Sequence, residues 1–445
     1  MFYPLPMTYS LRLLIISSAW AGSVLSARAQ TLYFPPTTGS TWETTAPAEL
    51  GYCQNKIDSL YTFLDGNNTK AFILLKDGKI VLEQYFNNHT ANTPWQWASA
   101  GKTITAFMTG IAQQEGFLSI TDPTSQYLGD GWTSCTPEQE QAITIWHQLT
   151  MTSGLDDNVP DHYCTDPECL LYLAEPGTRW AYHNGPYTLL DQVIESATGS
   201  TLNAYTDQKL KTPTGMNGAF FPVGFNNVFF STARSMARFG LLILNQGTWD
   251  NTPIMTDEEY FNAMITPSQD INDSYGYLWW LNGQSSYMLP GVQFQFPGYM
   301  NPNAPADVIA AMGSDGQFLN VHAEENLVWI RMGEAPDGVP VPYLLNDQIW
   351  QYINALVCQT EGLAENHVPQ TLLLYPNPAK HLLNVQSSAA VIEVRCYDAL
   401  GQEVLRTHPG AASFQLNLND LPAGMYSLCT TSAHGLHHTR RFIRD

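Results

Sequence analysis

The order of apolar and polar positions along the chain predicts strands near both ends of its main part and helices between them. A helix is predicted from about Leu50 to Leu64. Two β-rich runs, Ala71 to Lys76 and Lys79 to Phe86, flank Asp77-Gly78, a dipeptide suited to a tight hairpin. A helix from Ser99 to about Glu115 stops at Gly116. Pro186 to Ala197 reads as another helix, closed by Gly199. Ser231 is placed to cap a helix running to Asn245, and Thr256 with Glu259 has capping-box spacing. Strands return at Tyr275 to Leu281, Val308 to Met312, Gln317 to His322 and Leu327 to Met332, and a last helix spans about Leu344 to Cys358.

That order predicts a mixed α/β (α+β) fold. An antiparallel sheet is built from both ends of the domain and flanked by helices, with a helical domain inserted. Beyond Cys358 the pattern changes. Residues 359–371 read as a linker. From residue 372 to 445, short β runs alternate with turn residues, as in a small β-sandwich. The main domain is expected over residues 30–358.

Composition narrows the function classes. Lys and Arg number 19 against 40 Asp and Glu, a net charge of -21. That field repels polyanions, so nucleic acid is a poor partner. Near the start, Arg12 precedes the apolar run Leu13-Leu14-Ile15-Ile16, and Ala27-Arg28-Ala29 offers a small-x-small cleavage site. Residues 1–29 are therefore expected to be an export signal, and no stable membrane span is expected elsewhere. Seven cysteines suit an oxidising compartment. Cys164 and Cys169 are close enough for a local bridge. Cys53 and Cys358 lie in the first and last helices of the main domain, and Cys396 and Cys429 share the C-terminal module. Spacing does not fix their connectivity. No metal site is expected: Cys-x-x-Cys is absent, and His434-x-x-x-His438 lacks the glutamate of a zinc protease. No cofactor is called for.

The chemistry concentrates in two segments. Ser99-Ala100-Gly101-Lys102 places a hydroxyl and an amine three residues apart, on one face of a helix. A serine is a weak nucleophile until its proton is removed, and a desolvated lysine can remove it. Tyr182-His183-Asn184 offers a phenol to relay a proton and an amide to hold a carbonyl. Read alone, Ser99 is equally a helix cap, Tyr182 a buried tyrosine and Asn184 a turn residue. The aromatic run Tyr275 to Trp280 reads as core, and Trp95 and Trp97 are candidates for the pocket mouth.

The order Ser-x-x-Lys, Tyr-x-Asn, then a glycine-bearing strand motif resembles class C β-lactamases, DD-peptidases and their esterase relatives. His147 to Leu155 resembles the family's LLTHTSGL run. Pro176 to Gly199 resembles PGT-x-x-x-Y-x-N…G-x-x-IE-x-x-TG, and Ser231 to Gly240 resembles STA-x-DMA-RFG. The resemblance covers roughly Leu50 to Cys358. It implies a β-lactamase-like fold and an acyl-enzyme on Ser99, with Lys102 and Tyr182 as proton-transfer groups and Asn184 as a substrate contact. The third motif is expected at Ser314-Asp315-Gly316. The resemblance implies that the N–H groups of Ser99 and Gln317 form the oxyanion hole. Here Ser314 replaces the family's cation and Asp315 carries the opposite sign, which disfavours anionic β-lactam or peptidoglycan substrates.

The leading expectation is a serine hydrolase of a small ester or amide. A β-lactamase or DD-peptidase is the alternative, followed by a catalytically silent binding protein. Tyr375-Pro376-Asn377-Pro378, Leu421-Pro422-Ala423-Gly424-Met425-Tyr426 and Arg440-Arg441-Phe442 resemble the sorting domain of type IX secretion cargo. That resemblance implies secretion machinery as a partner of residues 372–445, and a secreted or cell-surface location.

Overall fold

The computed structural model describes residues 32–336, 341–358, 372–398, 402–432 and 437–445. The expected export signal, the linker and His434 lie outside the described residues. The chain divides into two compact units, residues 1–358 and 359–445.

In the first unit, helix α1 (Gln54–Gly66) leads into strands β1 (Thr69–Lys76) and β2 (Lys79–Tyr85). Asp77 and Gly78 both adopt positive φ, 51° and 81°, as the tight hairpin requires. The helices that follow include α2 (Lys102–Gln114), α3 (Asn184–Thr198) and α4 (Ala233–Leu244). The chain then returns to the sheet with β3 (Trp280–Leu281), β4 (Ile309–Gly313), β5 (Gln317–His322) and β6 (Leu327–Gly333), and closes with α5 (Tyr343–Asn354). The strand order is β2-β1-β6-β5-β4-β3, and every pair is antiparallel.

The central strands β5 and β6 are buried throughout. Neighbouring residues on a strand point to opposite faces. Val328 faces α4, where a Cβ on Gly240 would stand 2.5 Å from its Cγ1. Trp329, next along, meets Trp350 of α5 with ring centroids 5.8 Å apart. Helices thus cover both faces, which is why these strands read as continuous apolar runs. A disulfide between Cys53 and Cys358 ties the two ends of the unit together.

Local boundaries differ from expectation where side chains are used elsewhere. Thr232, not Ser231, is the N-cap of α4. Ser231 ends a strand, and its hydroxyl accepts the Trp97 indole N–H at 2.8 Å. Asp257 rather than Thr256 caps the following helix, by accepting the Tyr260 N–H at 2.9 Å. The strand expected over Tyr275 to Leu281 is only Trp280–Leu281, because Leu278 turns the backbone with φ 62°.

Every regular element among the described residues of the second unit is a strand. β7 (Leu372–Tyr375), β8 (Leu382–Tyr397), β9 (Glu403–Thr407), β10 (Ala411–Asn417), β11 (Gly424–Ser432) and β12 (His437–Arg444) surround a core that includes Leu383, Val385, Val394, Leu428 and Phe442. The long β8 pairs with β7 and β10 through its first part and with β9 and β11 through its second. Cys396 and Cys429 are not joined.

Candidate active site

Ser99 sits on an elbow between the sheet and α2. The elbow starts at Ala98, whose φ of 46° is a left-handed conformation that costs a non-glycine residue about 1–2 kcal/mol. Residues Ala98–Gly101 then form one 3-10 turn, and α2 begins only at Lys102. Trp97 anchors the elbow from below. It is fully buried, its N–H donates to Phe229 O at 2.8 Å, and its ring meets Phe229 edge-on. Trp97 is therefore a pillar and not part of the pocket mouth. Trp95 also has a packing role, under Lys70 Nζ at 5.4 Å.

Lys102 opens a helix whose residues from Lys102 to Ala112 are all buried. Its Nζ lies 3.2 Å from Ser99 Oγ. It also stands 4.0 Å from the ring centroid of Tyr187 and 5.4 Å from that of Tyr182. Burial pulls the Lys102 amine down to about 7, against an opposing pull from Asp191. A substantial fraction is then neutral at physiological pH, as a general base must be.

Tyr182 is held by the aromatic run that the sequence presents as core. Its ring stacks on Trp280 at 5.9 Å and meets Tyr275 edge-on at 6.3 Å. Burial pushes the phenol well up, while hydrogen bonding with Ser99 pulls it back. Asn184 begins α3, and its Oδ1 is buried without a hydrogen-bond partner. Between them, His183 is buried with both ring nitrogens unpartnered, and desolvation lowers its pKa to about 4.

A cavity of about 240 Å³ opens over these groups. Ser99, Tyr182, Asn184 and Ser314 line it, with Asp157, His162 and Tyr163 from one loop and Pro290 and Gly291 from another. The first loop is stapled by the Cys164–Cys169 disulfide. It packs directly on Gly185, where a Cβ would fall 2.4 Å from Cys164 O. The Asp157–Arg179 ion pair also holds it.

The third motif is a turn between β4 and β5, and only part of it reaches the cavity. A Cβ on Gly313 would stand 3.0 Å from Ser99 N and 2.8 Å from Ala100 N, so the end of β4 lies against the Ser99 backbone. Ser314 follows and lines the cavity. Gly316, with φ 78°, faces inward: its carbonyl accepts from Arg331 Nη1 at 2.7 Å. Gln317 is fully buried, pairs across the ladder with Gly313, and its side-chain amide donates to Gly333 O at 2.7 Å. Contrary to expectation, neither Gly316 nor Gln317 lines the cavity. Both help to hold the turn, and the backbone that meets Ser99 is that of Gly313. Arg331 supplies the turn's foundation, since its guanidinium also donates to Asp315 O, Asn67 O, Glu334 O and Thr69 Oγ1.

No lysine or arginine is among the described residues lining the cavity. At the other end of β4 and β5, Asp307, His322 and Glu324 gather their ligand-type atoms within 4.8 Å of one another. Within that cluster His322 Nε2 lies 3.0 Å from Asp307 Oδ1.

Comparison with known proteins bears on the fold and the family. An uncharacterized protein of Alkalihalophilus pseudofirmus is 24% identical over 60% of this chain and 84% of its own length. The β-lactamase of Escherichia coli is 26% identical over 30% of this chain, and the match spans only 36% of that enzyme. Among solved structures, a provisionally assigned 6-aminohexanoate-dimer hydrolase from Bacillus anthracis shares the fold with a TM-score of 0.54. It is 18% identical, over 74% of this chain and 88% of that one. Residues 373–444 match the secretion system C-terminal sorting domain, which indicates secretion or a place on the cell surface. No described helix is long and apolar enough to cross a membrane. Residues 68–332, more than half the chain, match the β-lactamase family, and the chain belongs to that family of serine hydrolases.

Proposed function

We propose that this chain cleaves a small, uncharged ester or amide through an acyl-enzyme on Ser99. The observation that carries the reading is the buried Lys102 amine 3.2 Å from the Ser99 hydroxyl. Neutral Lys102 takes the hydroxyl proton as Ser99 Oγ bonds to the substrate carbonyl carbon. The N–H groups of Ser99 and Ser314 receive the oxyanion, a role supported by the approach of Gly313 to the Ser99 backbone. Tyr182 passes the proton to the departing alcohol or amine. Water, deprotonated by the same pair, then hydrolyses the acyl ester and restores Ser99. The orphaned Asn184 Oδ1 marks the place where a polar group of the substrate would sit.

The uncharged class follows from the absence of a cation in the described lining, which leaves a β-lactam or peptidoglycan carboxylate unpaired. The name of the Bacillus anthracis neighbour, a hydrolase of an amide dimer, is compatible with amide cleavage. A two-probe labelling assay tests the reading. Reaction with a fluorophosphonate but not with fluorescent penicillin supports it. Labelling by both favours a wall enzyme, and labelling by neither favours a binding protein.

A further inference from the structure

The α2–α3 interface contains a carboxylate that the proposed mechanism does not use. Asp191 lies on α3 and is only 5% exposed. Its Oδ1 accepts from Thr105 Oγ1 at 3.3 Å, and its Oδ2 has no hydrogen-bond partner. Thr105 Oγ1 also lies 3.3 Å from Tyr187 OH, and the Tyr187 ring is the one 4.0 Å beneath Lys102 Nζ. Lys102 and Thr105 are three apart on α2, and Tyr187 and Asp191 are four apart on α3, so each pair shares a helix face. The four side chains form one polar seam, closed by Ser99 at one end and a carboxylate at the other. Of the other buried residues around Asp191 on α3, Leu189, Leu190, Val193 and Ile194 are apolar, and the Thr188 hydroxyl is turned to Asn184 O and Asn226 Oδ1.

A buried carboxylate is costly unless an opposite charge compensates it. The charged and titratable groups that face Asp191 are Lys102 from α2 and Tyr187 and Glu195 from its own helix. The strand Asn226–Ser231 brings the Asn227 side chain. Lys102 is the one cation in that set. We propose that Asp191 is a positioning residue: it acts through the α2–α3 seam as the counter-charge of Lys102 and sets the pH at which Ser99 becomes reactive. Burial raises the Asp191 carboxyl to about 7, so its negative charge, present above that pH, favours the ammonium form and opposes the desolvation that favours the neutral amine. Without it, Lys102 stays neutral to lower pH.

This rests on Lys102 as the base, so the test reads Lys102 directly as well as through activity. The mature full chain, carrying 13C-labelled lysine, is titrated by NMR as wild type and as Asp191→Asn, with Lys102→Arg to assign the signal. In Asp191→Asn the Lys102 midpoint should fall by about one pH unit or more. The acid limb of kcat/KM for p-nitrophenyl acetate should fall with it. An unchanged midpoint in a folded Asp191→Asn protein overturns the proposal. If that variant does not fold, Thr105→Val, which frees the carboxylate, should also move the midpoint, and no movement overturns the proposal. A shifted midpoint in a protein that neither cleaves the ester nor reacts at Ser99 upholds the counter-charge and refutes the hydrolase reading.

Discussion

Gly313 approaches Ser99 so closely that one added carbon would stand 3.0 Å from the serine's amide nitrogen. The same carbon would lie 2.5 Å from Trp97 O. The end of β4 and the elbow beneath the nucleophile are therefore set against each other by the lack of a side chain. Gly313→Ala should push the two backbones apart and misalign the oxyanion donors. We expect kcat for ester hydrolysis to drop about 100-fold or more, as for loss of one oxyanion-hole donor. Its φ of -132° suits alanine, so folding should survive. Steady-state kinetics beside a melting curve separate the two effects.

Activity should follow the Lys102 amine. With its pKa near 7, log kcat/KM should rise with pH and level off above about 7. The sign follows from the base form being the deprotonated one. A pH profile with a neutral ester checks this, and a profile flat from pH 5 to 9 would remove Lys102 as the base.

The two disulfides should have different effects. Cys53–Cys358 closes a loop of 305 residues, so Cys53→Ser should lower unfolding free energy by about 5 kcal/mol, read by denaturant titration. Cys164–Cys169 spans only five residues and shapes one wall of the cavity. Cys169→Ser should raise KM with a much smaller effect on stability.

Acid should weaken the fold through desolvated imidazoles, one buried and one half-buried. Burial lowers His183 to about 4 and His147 to about 4, against about 6.5 when unfolded. Between those values the unfolded chain binds more protons, so stability is full above pH 6.5 and declines as pH falls toward 4. For His183 the loss should be on the order of 1–3 kcal/mol. His183→Gln should flatten the decline of Tm with pH across that window.

The sheet and most helices were legible because their apolar runs and turn residues obey local rules. Asp77-Gly78 and the closing Gly199 are examples. Ser99, Lys102, Tyr182 and Asn184 were legible as spaced motifs. Motif spacing does not reveal which side of a β turn faces Ser99; that depends on Gly313 meeting Ser99 across 214 residues of sequence. Asp157, His162 and Pro290 lie in irregular loops, which carry no period, so their shape around the cavity had to come from the structure. Asp191 left a faint one, a carboxylate within an apolar helical run, whose meaning needs the partner helix.

The central claim is that Ser99 is the nucleophile that Lys102 activates. The most direct measurement is intact-mass and peptide mapping after reaction of the protein with a fluorophosphonate. One adduct on Ser99 is expected, absent in Ser99→Ala and at least about 100-fold slower to form in Lys102→Ala. An adduct on another residue, or undiminished ester hydrolysis by a folded Ser99→Ala protein, would contradict the account.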